Sequence, residues 1–87
     1  MSEVVDVTAA WLSRAHVTDD PEGDLIADMR SELRRGSDMP ALFPNMASMR
    51  EYLRRQGACP EALAAVPGVW QRYRNWVDRN CRTWRSI

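Results

Sequence analysis

The chain has 87 residues, with twelve arginines balancing twelve acids and no lysine. That length supports a single domain, and so short a chain buries only about 60% of the surface its unfolded form exposes. The small core leaves little room for a deep, closed active site, which argues against an enzyme. No apolar run of about 18 residues occurs, so no membrane-spanning helix is expected.

Val4, Val5, Thr8, Trp11, Leu12 and Ala15 recur at helical spacing. They predict a first helix capped by Ser2 or Asp6 and ending near His16. Residues 17–23 form a turn-rich connection in which Asp19 or Asp20 can cap a second helix. Pro21 then falls in its first turn, and Glu22 and Asp24 suit the positive end of its dipole. Leu25, Ile26, Met29 and Leu33 share one face, and Gly36 stops the helix after Arg34 and Arg35. Residues 37–45 carry two prolines and no usable period. They read as an irregular loop pinned to the core by Leu42 and Phe43.

A third helix presents Met46, Met49, Tyr52, Leu53 and Gln56. Either Asn45 caps it, or Ser48 and Glu51 form a reciprocal cap one turn later. Gly57 ends this helix, and Cys59-Pro60-Glu61 begins a short fourth one through Ala62, Leu63 and Val66. Pro67 opens a long fifth helix. Five helices and no strand pattern make an all-α domain over residues 1–87, with its core at about 6–84.

The fifth helix organises the rest. Trp70, Tyr73, Val77, Cys81 and Trp84 fall on one apolar stripe, which predicts the face turned to the core. Trp76 lies about 100° from the centre of that stripe, beside Arg72 and Arg79. A tryptophan among arginines is either covered, by the first helix or by the N-terminal segment, or forms a contact patch. On the second reading Arg72, Trp76, Arg79, Arg82 and Arg85 make an interaction surface.

Charge is divided along the chain. Residues 1–40 hold nine acids and four arginines, and residues 41–87 hold three acids and eight arginines. Such a split can steer a partner, align two copies head to tail, or join the two halves of one fold. The exclusive use of Arg suits bidentate contacts to carboxylate or phosphate, and codon bias explains it equally well. Met1 to Asp6 contains two acids and no basic apolar leader, and Cys59 and Cys81 lie 22 positions apart. An intracellular, cytoplasmic setting with both thiols free is expected.

The ordered set Trp11-Leu12, Gly23-Asp24-Leu25-Ile26-Ala27-Asp28, Phe43-Pro44, Tyr52-Leu53, Glu61-Ala62-Leu63, Val69-Trp70 and Tyr73 resembles the YozE-like family. The likeness covers roughly residues 8–77. It implies a five-helix, sterile-alpha-motif-like fold in a small bacterial protein, in some members from phage-like elements, with no assigned biochemical activity. Two departures stand out: a longer link before Phe43-Pro44, and a final helix that continues to Trp84 with extra arginines. The analogy to sterile alpha motifs implies association with protein or nucleic acid.

Motifs for chemistry are missing from the sequence. His16 is the only histidine, and no CxxC, HxxxH or ExxH spacing accompanies it, so no metal site is expected. A histidine at a helix end more often caps or sits on the surface. Cys81 reads as a small buried hydrophobe, and Cys59 as a helix cap or a thiol with a lowered pKa. The acids at positions 19, 20, 22, 24 and 28 lack the calcium-loop pattern, and no phosphate-cradling or nucleophile-elbow motif occurs. No cofactor or small-molecule substrate is inferred. The reading is a non-enzymatic interaction module that binds a protein partner or itself through its basic last helix. The alternative is nucleic-acid binding through Arg72, Arg74, Arg79, Arg82 and Arg85 with Trp76.

Overall fold

Asp6, Asp20 and Asn45 each turn a side-chain oxygen onto a backbone amide three residues on, and each starts a helix. A computed structural model describes residues 6–80. Among them, all regular structure is helical: α1 (Val7–Arg14), α2 (Pro21–Arg34), α3 (Met46–Arg55), α4 (Pro60–Ala64) and α5 (Val66–Asn80). The all-α expectation holds. Residues 1–5 and 81–87, including Val4, Val5, Cys81, Arg82, Trp84 and Arg85, lie outside the described residues.

Helix ends follow local chemistry. Asp20 rather than Asp19 caps α2, with Pro21 in the first turn, where its missing amide costs nothing. Gly36 and Gly57 both have positive φ, at 79° and 85°. Each closes its helix with the same pair of bonds. Gly36 N and Ser37 N donate to Leu33 O and Glu32 O, and Gly57 N and Ala58 N donate to Arg54 O and Leu53 O. The cap of α3 is Asn45, with Ser48 as its reciprocal partner. Glu51 therefore does not cap the helix. It lies on the exposed face, 3.1 Å from Arg54 and 3.6 Å from Arg55.

The core gathers Val7, Trp11 and Leu12 of α1, Leu25, Ile26 and Met29 of α2, Met49, Tyr52 and Leu53 of α3, and one line of α5. Gln56 at the end of α3 is exposed instead of joining that face. The 37–45 loop is tied in as its composition suggested. Phe43 is buried, Leu42 packs against the core, and the Phe43 amide donates to Tyr73 Oη at 3.1 Å. A second bridge holds the start of this loop. Tyr52 Oη donates to Glu32 Oε1 at 3.0 Å; because that uses its only proton, the Ser37 hydroxyl donates to Tyr52 at 2.7 Å. Burial pushes the Tyr52 phenol above its ordinary pKa.

α5 docks on a different line from the expected one. Val66, Val69, Tyr73 and Val77 are the buried residues, and Trp70 is only half-buried. The helix begins at Val66, and counting Val66 and Val69 rotates the centre of the apolar face. At 100° per residue, Trp70 then lies about 55° to one side and Trp76 about 65° to the other. Trp70 packs on Tyr73 at 5.4 Å, with the Arg74 guanidinium 5.9 Å above its ring. Tyr73 also meets Trp11 edge-on at 5.2 Å, joining α5 to α1.

Candidate functional site

Asn75 and Trp76 each lie three or four residues from both Arg72 and Arg79, so the four share a side of α5. That side does not lie open along its length. Opposite it stand Arg14 at the end of α1 and His16 and Thr18 in the connection to α2, and between them runs a cleft of about 510 Å³. Trp11 and Ile26, both buried, contribute to its lining.

The far wall of the cleft is held by Arg30 of α2. Its Nε donates to Leu12 O at 2.7 Å and its Nη2 to Ala15 O. Those carbonyls belong to the end of α1, where the backbone lacks helical partners and the dipole is negative. One guanidinium satisfies both and fixes where Arg14 and His16 leave the helix. Gly23 fixes the other end of this connection, because its Cα packs directly on the backbone of Thr18.

Trp76 is neither sealed nor free. Its indole packs against the core and its remaining surface lines the cleft. Arg14 and Arg79 are exposed and make no ion pair among the described residues, and neither does His16. Arg72 differs: its Nε lies 2.8 Å from Glu22 Oε1, and its Nη2 lies 3.6 Å from Asp20 Oδ2. It also donates to Thr18 Oγ1 at 3.2 Å. The Asp20 carboxyl is held below its ordinary pKa, first by the Thr18 hydroxyl, then by the Gly23 amide. Here the acidic first half and the basic last helix meet within one chain.

Of the expected surface, Arg72, Trp76 and Arg79 come together, while Arg82 and Arg85 lie outside the described residues. Arg74 does not join them. It points to the other side of α5, over Trp70 and 3.8 Å from Asp78. Arg14, His16 and Thr18 enter the site from elements far away in sequence, and no local spacing announces them. Asn75 had a signal, being one position from Trp76 and three from Arg72. Its Oδ1 accepts from Gln71 Nε2 at 3.0 Å.

No group of three or more potential metal ligands occurs among the described residues. Cys59 is an exposed free thiol at the start of α4, without a side-chain cap bond. No described helix is long and apolar enough to cross a membrane. Comparisons with known proteins find no matching family model, no matching curated protein and no matching solved structure.

Proposed function

We propose that the protein is a small non-enzymatic interaction module that docks an acidic protein surface in the cleft between α1 and α5. The observation that carries this reading is Trp76, half-buried between Arg14 and Arg79, two guanidinium groups with no carboxylate partner among the described residues. An aromatic anchor beside unpaired arginines is the composition of a binding hot spot. The cleft lining supplies one hydroxyl, Thr18, which donates to Asp20 and so is not aligned on His16 as a nucleophile would be. With this role goes the YozE-like, sterile-alpha-motif-like reading of the chain, which the order of five helices supports.

Nucleic acid is the competing ligand, since an indole flanked by arginines can stack a base. Against it stand Asp20 and Glu22, which lie on the cleft rim at Arg72. A dense polyanion is repelled by such a rim, whereas a protein surface of mixed charge can match it. NMR of the Trp76 indole N–H, assigned with Trp76→Phe, tests the choice. A short peptide with two glutamates one helical turn apart and no other charged side chain should shift that signal, and Arg79→Gln should abolish the shift. Tighter binding of a single-stranded oligonucleotide than of the peptide would overturn the protein reading, and no response to either would remove the site.

A further inference from the structure

We infer that the occupant of the cleft is a second copy of this chain, entering with the outer face of α2 that carries Asp24 and Asp28. This rests on the proposed reading of the cleft as a site for acidic protein surface, and it names the partner.

Charge pairing within one chain leaves several groups over. Asp20 and Glu22 are taken by Arg72, Glu51 by Arg54 and Arg55, and Asp78 by Arg74. Asp24 and Asp28 are exposed and make no ion pair among the described residues, like Arg14 and Arg79. Asp19, Asp38, Glu61, Arg34, Arg35 and Arg50 also make no ion pair among the described residues, and Arg35 shares the line of Asp24 and Asp28 two turns on; of these acids only Asp24 and Asp28 stand one turn apart on a helix, as Arg14 and Arg79 stand on the two sides of one cleft.

One molecule cannot satisfy itself. Asp24 and Asp28 stand one turn apart on α2, whereas Ile26, which lines the cleft, is about 200° around the helix from Asp24. The acidic face therefore looks away from the chain's own cleft. Between copies the same two surfaces can meet. Ala27 and Ser31, both short and half-buried, lie beside the two acids and give the Trp76 indole a flat strip to rest on. The chain is neutral overall, so no net repulsion opposes assembly. Because the acidic face looks away from the cleft, the contact runs head to tail and builds rings or open chains.

Sedimentation velocity of the full chain at up to about 1 mM tests this. Wild type should form concentration-dependent oligomers at about 0.01 M salt and return to monomer at about 1 M, where screening acts within about 3 Å. Arg14→Gln/Arg79→Gln and Asp24→Asn/Asp28→Asn should each weaken association about tenfold or more. Mixed, the two variants should form a one-to-one pair, because one retains the acidic face and the other the cleft. Circular dichroism melts verify that each variant folds. A monomeric wild type at low salt overturns the inference, as does association unmoved by both variants or a mixture that yields no pair. Binding of the two-glutamate peptide decides the cleft separately: if a monomeric wild type still binds the peptide, only the second copy is lost. If the peptide also fails, the cleft reading falls with it.

Discussion

The carboxylate of Glu22 occupies the space that a side chain on Gly68 would need. A Cβ built on Gly68 would stand 1.9 Å from Glu22 Oε2, so the bare backbone of α5 is what lets Glu22 reach Arg72 one turn later. The obstacle is the far end of a flexible side chain, so Gly68→Ala should displace Glu22 and leave both backbones in place. The lost ion pair, with side chains 34% and 35% exposed, contributes at most about 1 kcal/mol. Alanine returns up to about 1 kcal/mol of helix propensity. Unfolding free energies of variant and wild type from urea titration should therefore agree within about 1 kcal/mol, with Arg72 still held by Asp20 and Thr18.

Gly23 presents the opposite case. A Cβ there would stand 1.8 Å from Thr18 O and 2.5 Å from Thr18 N, and backbone atoms cannot rotate away. Gly23→Ala must move either the connection after α1 or the first turn of α2. A loss of about 1–3 kcal/mol is expected from the urea midpoint, in line with overpacked interiors. Thr18 and His16 shift with the connection, so the Trp76 indole resonance should move as well. A variant as stable as wild type would show that the connection does not pack on α2 at this point.

These two glycines mark the boundary of what the residues alone disclose. Caps and stops were legible because their chemistry is local: Asp20 before Pro21, and Gly36 and Gly57 after arginine-rich last turns. Phe43 was legible as an anchor because a large apolar residue between two prolines has few other uses. The docking line of α5 was misplaced by about 35° around the helix, a third of a residue. The expected stripe started from the tryptophans and omitted Val66 and Val69, yet the valines are buried and Trp70 is left at the edge. The cleft itself was half legible. Trp76 and Arg79 are neighbours by helical spacing, but Arg14 and His16 reach them only because Arg30, at least 15 positions on, holds the end of α1. Contacts of that kind have no period to detect.

Thr8 is wholly buried in α1, and its Oγ1 has no hydrogen-bond partner among the described residues. Its amide is satisfied by Ala41 O at 2.9 Å, so the hydroxyl alone carries the cost of burial. Valine has nearly the same shape without that group. Thr8→Val should stabilise the fold by about 1 kcal/mol, which for a domain of this size raises Tm by roughly 4–8 °C. Differential scanning calorimetry checks the sign, and a lower Tm would mean that the hydroxyl is satisfied in solution.

Asp20 makes stability depend on acid. Its carboxyl accepts from the Thr18 hydroxyl at 2.7 Å and the Gly23 amide at 2.8 Å, and both contacts favour the ionised form. Glu61 is lowered in the same direction, first by its own amide and then by Cys59. A carboxyl whose folded pKa is depressed contributes in full above its unfolded value of about 4, and loses that contribution as pH falls through the lower folded value. Stability should therefore be flat from about pH 7 to pH 5 on account of these groups and decline below about pH 4. Asp20→Asn keeps an acceptor at the cap but removes the charge. Its urea midpoint should fall less than that of wild type between about pH 5 and pH 3. Parallel pH profiles for the two proteins would show that the contacts with Thr18 and Gly23 do not favour the ionised carboxylate.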